Sequence, residues 1–292
     1  MNKRIEESEL ILNSDGSVFH LHLKPGEIAD TIILVGDPDR VNLVSGFFDT
    51  IELSRSNREF VSVTGSLRGK RLSVVSTGIG TDNIDIVINE LDALVNIDFK
   101  TRQIKENISS LNFIRIGTSG SLQEDLPVDS YLITKMVIGF DGLLNFYGGV
   151  DSVTNSVIES AFKKHVNWNK RLTTPYIVGA DGELLNKIIV PEMKEGITVS
   201  APGFYGPQGR VIRLNLQDEE INSKLATFGY NGLRITNYEM ECSAIYGLSR
   251  LLGHKAVTVC AIIDNRLAGT YSKDYHLVIE KLVRMVLNKI TS

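Results

Sequence analysis

Short apolar runs that stop near a glycine alternate with segments of helical periodicity, and this alternation restricts the folds open to the chain. Runs rich in Ile, Val and Leu occupy residues 31–35, 72–75 and 113–116, and a glycine follows each within three residues. Residues 256–263 form a similar run. Runs of this length that are apolar throughout are typical of strands buried on both faces of a largely parallel sheet.

Other segments have apolar residues three and four positions apart, which is the spacing of an amphipathic helix. Residues 83–94, 239–252 and 275–290 show this pattern. Strands that alternate with helices predict an α/β layered fold, in which ligands bind at the carboxyl ends of the strands. The chain contains no fixed-period repeat and no linker rich in Pro, Ser or Gly, so we expect residues 1–292 to form one domain.

The composition argues against several classes of partner. With 42% hydrophobic and 23% charged residues, the chain is typical of a globular protein, and its net charge of -4 gives no general attraction for nucleic acid. The N-terminal segment lacks the apolar run of a signal peptide, and no apolar run is long enough to span a membrane, so we expect a cytoplasmic protein. Cys242 and Cys260 have neither a CxxC spacing nor neighbouring histidines, which indicates buried thiols.

The segment GDPDR, residues 36–40, contains residue types that bind phosphate. It places Gly36 at the end of a predicted strand and Arg40 about one helical turn further on. Glycine lets a backbone N–H group approach an anion closely, and arginine offers a planar set of donors. On these residues alone, a turn with a solvated arginine is the stronger alternative.

The segment IRIGTSG, residues 114–120, places Arg115 inside an otherwise apolar strand. A charge there is unfavourable unless it is paired, so Arg115 needs either a buried carboxylate partner or a bound anion. Thr118 and the neighbouring backbone would help to hold such an anion. A further glycine turn, residues 76–83, lacks the third glycine of a dinucleotide-binding motif and is expected to line the same site.

Two later segments contain residue types that could contact a flat heterocycle and a sugar. In residues 203–210, Phe204 offers a ring for a flat heterocycle, while Gln208 and Arg210 offer polar groups for its edge; a surface loop is the alternative. In residues 237–244, two glutamates flank Met240. They either cap a helix or bind the hydroxyl groups of a ribose.

Taken together and in order, these segments resemble the nucleoside phosphorylase I family, most closely its bacterial uridine phosphorylases. The resemblance covers nearly the whole chain and rests on seven motifs: VFHL (18–21), GDPDRV (36–41), REF (58–60), STGIG (76–80), RIGTSG (115–120), FY with Gln208 and Arg210 (204–210), and NYEME (237–241). It implies a single three-layer α/β/α domain around a central twisted mixed sheet. It also implies a hexamer built from three dimers.

The resemblance assigns a role to each candidate residue. The phosphate site would comprise Gly36, Arg40, Arg115 and Thr118, with Arg58 from the neighbouring subunit. The ribose site would comprise Met240, Glu241 and Arg115, with His20 from the neighbour. The base site would comprise Phe204, Gln208, Arg210, Ile263 and Asp264. Arg115, Glu241, Gln208 and Arg210 would carry the catalysis, with inorganic phosphate as co-substrate and no organic cofactor.

The chain departs from the family pattern at Asp264, where many bacterial uridine phosphorylases have an apolar residue and purine-cleaving relatives have a proton-donating aspartate. The expected activity is reversible phosphorolysis of uridine, with a purine or broad-specificity phosphorylase as the alternative and a hydrolytic nucleosidase as a weaker one. Residues 98–110 are longer and more polar than the family pattern and indicate a surface insertion. A monovalent cation at the dimer interface, near Glu59, Ile79 and Asn83, is left open.

Overall fold

In the computed structural model, which describes residues 4–292, the four apolar runs form neighbouring strands of one large mixed sheet. The first three residues, part of the segment considered above for targeting, lie outside the described residues. The strands of the described part are β1 (Thr31–Val35), β2 (Thr50–Asn57), β3 (Phe60–Leu67), β4 (Lys70–Ser76), β5 (Ile97–Asp98), β6 (Gln103–Ile104), β7 (Asn112–Ser121), β8 (Tyr131–Gly139), β9 (Tyr176–Gly179), β10 (Met193–Ser200), β11 (Gly229–Tyr230), β12 (Leu233–Glu239), β13 (Lys255–Asn265) and β14 (Thr270–Tyr271). The α-helices are α1 (Pro38–Ser45), α2 (Thr81–Asn96), α3 (Ser156–Val166), α4 (Gly182–Ile188), α5 (Ile221–Ala226), α6 (Cys242–Leu252) and α7 (Tyr275–Thr291).

The sheet order is β11-β12-β10-β8-β13-β7-β1-β4-β3-β2, with β9 beside β8 and β14 beside β13. The strands predicted to be buried, β13, β7, β1 and β4, are consecutive in this order and parallel to one another. Strands β3 and β2 continue the sheet in antiparallel pairs. The predicted α/β fold is therefore confirmed, and the sheet is mixed.

Helices cover the sheet in two groups. Helix α2 packs against α6, and α4 packs against α7, while the central strand β13 contacts both α6 and α7. Most of β13 is buried, which is expected for a strand covered on both faces. The architecture therefore has three layers, with the sheet between two layers of helices. None of the helices described within residues 4–292 is both long enough and apolar enough to cross a membrane.

Strand β7 does not end before Gly117, as the sequence suggested, but continues to Ser121. Its two glycines admit side chains from elsewhere in the molecule: the Arg115 guanidinium lies where a Cβ on Gly117 would be, and the Asp264 carboxylate lies close to the corresponding point on Gly120. These glycines therefore serve close approach within a strand rather than a turn.

Helix α6 begins at Cys242, three residues later than the apolar periodicity suggested. Glu239 is the last residue of β12, and its Oε2 accepts hydrogen bonds from the backbone N–H groups of Glu241 and Cys242, both at 2.9 Å. Glu239 thus satisfies N–H groups that a helix leaves free at its N-terminus. The two glutamates precede the helix instead of lying in its first turn.

Residues 98–110 lie largely at the surface, as expected for an insertion. They nevertheless have a structural role, because β5 and β6 pair as a short hairpin whose turn contains the buried Arg102. The Arg102 guanidinium donates to the carbonyl oxygens of Ile5 at 2.9 Å and Glu6 at 3.0 Å, and also to that of Leu10. The hairpin therefore holds the N-terminal segment against the body of the protein.

Candidate active site

A cavity of about 670 Å³ lies at the carboxyl ends of β1, β4 and β7, beside the ends of β12 and β13. Most of the residues predicted to form the site line this cavity. They are Gly36, Arg40, Arg115, Thr118, Phe204, Gln208, Arg210, Met240, Glu241, Ile263 and Asp264. Motifs that are far apart in the sequence thus converge on one volume, at the position where α/β folds bind ligands.

One end of the cavity carries two guanidinium groups, those of Arg40 and Arg115. Asp37 caps α1 by accepting from the N–H group of Asp39 at 2.9 Å, and Pro38 occupies the first helical turn. This local structure places Arg40 against the middle of β7, where its Nη1 donates to the carbonyl oxygen of Ile116 at 3.3 Å. Burial, together with the positive charge of Arg115, lowers the pKa of Arg40. Two guanidinium groups close together in a buried setting favour a bound anion.

Arg115 has two carboxylate partners. Its Nη2 contacts Oε2 of Glu241, and its Nη1 lies 3.4 Å from Oε2 of Glu239. Burial alone would lower the pKa of Arg115, but the carboxylates of Glu241 and Glu239 outweigh it and raise that pKa. Arg115 is therefore a paired buried cation that also lines the cavity. Within the described residues its Nε has no hydrogen-bond partner.

The two glutamates of residues 237–244 have different surroundings. Glu239 is enclosed by Ser200, the start of α6 and Arg115; burial raises its pKa, while Arg115 acts in the opposite direction. Glu241 bonds through Oε1 to the backbone N–H of Gly80 at 2.8 Å. Glu241 therefore joins the glycine turn at the end of β4 to Arg115 at the centre of the site.

The opposite end of the cavity is formed by the loop between β10 and α5. Phe204 is half exposed, whereas Gln208 is buried in a short 3-10 turn, Gly206–Gln208. The Arg210 guanidinium carbon lies 3.7 Å from the centre of the Phe204 ring. Its Nη1 donates to the carbonyl oxygen of Phe204 at 2.7 Å and to Oε1 of Gln208 at 2.6 Å. Three of the five residues predicted to contact a base thus form one connected group.

Asp264 lies next to this group. The pairing of β13 with β7 shifts by one residue between Ile262 and Asp264, so Ile263 is the extra residue of a β-bulge. Bulges commonly redirect a side chain near an active site. Asp264 Oδ2 accepts from Arg210 Nη2 at 3.1 Å and lies 3.6 Å from Nη1 of Arg266.

Of the two roles considered for the glutamates, Glu239 takes that of holding the start of α6. Two residues of the site had no role assigned from the sequence: Arg266 binds the carbonyl oxygen of Gln208, and Tyr238 lines the cavity with its buried hydroxyl unpaired among the described residues. Residues 264 and 266 have the spacing that places two side chains on one face of an extended chain, and this spacing was the available signal for Arg266.

His20 and Arg58 do not line the cavity of this chain. They lie on one surface, where the Arg58 guanidinium carbon is 5.8 Å from the Phe19 ring centre and Asn57 donates to the His20 carbonyl oxygen at 2.7 Å. Glu90 fixes the His20 ring through a 2.7 Å contact with Nδ1. The neighbouring residue Glu59 does line the cavity.

The residues considered for a monovalent cation, Glu59, Ile79 and Asn83, all line the cavity together with Gly78. Between residues 4 and 292, no group of three or more His, Cys, Asp or Glu side chains is arranged to hold a metal ion. That observation concerns ligand sets of those four residue types, so the interface cation stays a prediction.

The model of the phosphorylase superfamily matches residues 30–289. The chain belongs to this superfamily. It is 28% identical over 286 residues to the uridine phosphorylase of Thermococcus kodakarensis, which covers 94% of this chain and 86% of that protein. It is 26% identical over 277 residues to the DeoD-type purine nucleoside phosphorylase of Bacillus velezensis, covering 93% and 99%.

Solved structures of the superfamily agree with the fold described above. The crystal structure of a Trypanosoma brucei nucleoside phosphorylase that shows uridine phosphorylase activity matches 97% of this chain and all of that chain, with a TM-score of 0.88 and 29% identity. A uridine phosphorylase of Phytophthora capsici shares the fold, with a TM-score of 0.70, 22% identity and 99% of each chain covered. The predicted enzyme class, a pentosyltransferase of the nucleoside phosphorylase type, is confirmed.

Proposed function

We propose that the protein is a uridine phosphorylase, which converts uridine and inorganic phosphate to uracil and ribose 1-phosphate in a reversible reaction. The observation that carries the proposal is the arrangement of one cavity. Arg40, Arg115 and Thr118 line it, and so do Gln208 and Arg210. Met240 and Glu241 line the same cavity, where a ribose would fit between the two groups.

In this proposal, phosphate binds to the backbone at Gly36, to the Thr118 hydroxyl and to the guanidinium groups of Arg40 and Arg115. Guanidinium groups match the geometry of phosphate oxygens. The unpaired Nε of Arg115 offers a further donor, and burial together with Arg115 lowers the pKa of Arg40, a cation that an anion would stabilise. Bound phosphate would supply that charge and lie close to the anomeric carbon of the sugar.

Glu241 would accept hydrogen bonds from the ribose hydroxyls, with Met240 as an apolar wall. Its carboxylate already contacts Arg115 and the N–H of Gly80, so it is held in place before the sugar arrives. As the glycosidic bond lengthens, positive charge develops on the ribose. A fixed carboxylate nearby is favourable at that stage.

Phe204 and Ile263 would pack on the base, while Gln208 and Arg210 bind its polar edge. During the reaction a phosphate oxygen forms a bond to C1′, and the electron pair of the C1′–N1 bond passes to the uracil. Arg210 would stabilise the negative charge that accumulates on the departing base. No covalent bond to a side chain is needed.

Arg58 and His20 would complete the site from a second copy of the chain, Arg58 at the phosphate and His20 at the 5′-hydroxyl. The two residues share one surface, and Glu59 beside them lines the cavity, which supports the idea that both reach the site of a neighbouring copy. The proposal therefore includes a dimer-based oligomer, with the hexamer as its full assembly. It also includes a cytoplasmic role in pyrimidine nucleoside catabolism and salvage.

A purine or broad-specificity phosphorylase is the second candidate. Asp264 lines the cavity, and relatives of similar identity are purine nucleoside phosphorylases. The Gln208–Arg210 pair favours uridine, because it offers an amide and a guanidinium to a pyrimidine edge. A nucleosidase uses water instead of phosphate, so it has no need of the two arginines, Arg40 and Arg115, that line the cavity.

The test is a panel of uridine, thymidine, deoxyuridine, inosine and adenosine, assayed with and without saturating phosphate. We expect uridine to give uracil and ribose 1-phosphate only when phosphate is present. Equal rates of uracil release without phosphate, with free ribose as product, would show a nucleosidase. Faster cleavage of inosine than of uridine would support the purine candidate.

A further inference from the structure

The loop that carries the base-contacting residues is attached to the end of β13 by two side chains. Asp264 accepts from Arg210 Nη2 at 3.1 Å, and Arg266 donates to the backbone carbonyl oxygen of Gln208. The two anchoring residues are themselves close, since Arg266 Nη1 lies 3.6 Å from Asp264 Oδ2. The loop between β10 and α5 thus depends on a strand from another part of the chain.

We propose that Asp264 is a positioning residue that acts on the base through Arg210, and not a proton donor to the base. The proposal rests on the proposed function, because it assigns Asp264 to the same base site. It offers a geometric reason for an aspartate at this position, where many bacterial uridine phosphorylases have an apolar residue. The carboxylate that invites comparison with purine-cleaving enzymes is paired through Oδ2 with Arg210.

The two carboxylate oxygens of Asp264 have different surroundings. Oδ2 has the contacts to Arg210 and Arg266. Oδ1 lies over Gly120, so close that a Cβ on that residue would be 2.6 Å from it. A general acid must present a protonated oxygen to the leaving group. Oδ2 accepts from Arg210, so this oxygen presents a lone pair there instead of a proton.

What Asp264 positions is the hydrogen-bonding pattern of Arg210. With Nη2 held by Asp264, Nη1 reaches Oε1 of Gln208 and the carbonyl oxygen of Phe204. The guanidinium plane then lies against the Phe204 ring. One guanidinium group therefore fixes both the amide of Gln208 and the aromatic wall of the base site.

Charge gives Asp264 a second reason to be there. Arg210 and Arg266 are neighbouring cations, and burial together with the charge of Arg266 lowers the pKa of Arg210. Without Asp264 the two guanidinium groups would repel each other across the loop. Removing the shared anion is expected to release Arg210 from the position that suits the base.

A double-mutant cycle tests the proposal. The proteins are the wild type, Asp264→Ala, Arg210→Ala and the double variant, compared by kcat/KM for uridine at saturating phosphate. Loss of one charge-assisted hydrogen bond predicts a decrease of about 10- to 100-fold for Asp264→Ala. If Asp264 acts through Arg210, the double variant is no worse than Arg210→Ala alone, within about twofold. Independent, multiplicative losses would overturn the proposal.

Two further measurements separate positioning from acid catalysis and from misfolding. Asp264→Asn keeps an acceptor oxygen for Arg210, so it should recover part of the activity lost in Asp264→Ala and retain the shape of the pH profile of kcat/KM. Loss of one limb of that profile would show a proton donor. Asp125→Ala, which breaks an exposed pair with Arg234 outside the cavity, is the control.

The same four proteins can also be compared by their dissociation constants for uracil, which calorimetry measures without turnover. If the wild type cleaves inosine and not uridine, the proposed uridine specificity fails while the cycle, repeated with inosine, still decides the role of Asp264. Conversely, uridine cleavage with multiplicative losses rejects the positioning role and leaves the proposed function intact. The two failures are thus distinguishable.

Discussion

The guanidinium of Arg115 folds back over Gly117, so that a Cβ placed on residue 117 would lie 2.0 Å from Nη1. Two non-bonded heavy atoms cannot lie so close together. The contact allows a long charged side chain to stay beside its own strand and reach Glu241. A glycine two residues after the arginine is therefore a requirement of the site as well as of the strand.

Gly117→Ala should displace Arg115 from Glu241 and from the cavity. We expect kcat/KM to fall at least about tenfold, and the free energy of unfolding to fall by about 1–3 kcal/mol, the usual cost of overpacking. Kinetics and denaturant unfolding measure the two effects. Gly182→Ala is the matched control, because a Cβ there meets no atom within 4 Å. Equal behaviour of the two variants would contradict the assigned contact.

Arg40→Ala should weaken phosphate binding selectively. The KM for phosphate is expected to rise about 10- to 100-fold, the range for loss of a charge-assisted interaction, while the KM for the nucleoside changes much less. Because burial and Arg115 lower the pKa of Arg40 in the unliganded site, phosphate should also raise the Tm of the wild type more than that of the variant. Arg55→Ala, which removes a surface pair with Glu27, is the control. An unchanged phosphate KM would remove Arg40 from the site.

A mixing experiment tests whether sites are shared between copies. If Arg40 acts in its own chain and Arg58 acts in the neighbour, a hybrid dimer of Arg40→Ala and Arg58→Ala has one site that lacks both arginines and one that retains both. By the symmetry of such a dimer, purified hybrids should recover about half of the wild-type turnover. Hybrids as inactive as their parents would show that both residues serve the same chain.

The two cysteines should be unreactive in the folded protein. Burial raises the pKa of Cys260 to about 12 and raises that of Cys242 well above its ordinary value. Because the thiolate is the reactive form, Ellman's reagent at pH 8 should label neither thiol until the protein is unfolded. The exposed Ser152→Cys variant should react at once, and rapid labelling of the native wild type would contradict the burial.

The same shifts predict how stability depends on pH. The unfolded thiols ionise near their ordinary pKa of about 8.5, whereas the folded thiols remain protonated. Above that pH the folded state therefore binds more protons than the unfolded state, so the free energy of unfolding must decrease as the pH rises. Urea unfolding between pH 8 and pH 10 measures the decrease, and Cys260→Ala should reduce its slope.

Local patterns were sufficient to predict the fold class. The runs at residues 31–35, 72–75, 113–116 and 256–263 became adjacent parallel strands, because apolar character on both faces is stable only inside a covered sheet. Strand and helix ends were less predictable. Gly117 lies within β7 because the long side chain of Arg115 folds back over it. Glu239 ends β12, where its carboxylate contacts Ser200 and Arg115, which are distant in the sequence.

The same distinction applies to the site. The need for an Arg115 partner followed from the cost of a buried charge, yet its identity, Glu239 together with Glu241, required the tertiary structure. The bulge at Ile263 was missed, because neither β13 nor β7 alone determines the register between them. The role of Arg266 was missed because its acceptor, the carbonyl oxygen of Gln208, belongs to a distant segment. The roles of His20, Arg58 and the interface cation stay predictions, as does the single domain of residues 1–292.

The hairpin around Arg102 limits how far the chain can be shortened. Its buried guanidinium group takes its acceptors from three carbonyl groups of residues 5–10, so this stretch is part of the folded unit rather than an appendage. A truncated protein starting at residue 11 would leave a buried cation without those acceptors, which is strongly destabilising. Affinity tags and fusion partners therefore belong before residue 4, and trimming into the acidic N-terminal stretch should lower solubility and yield.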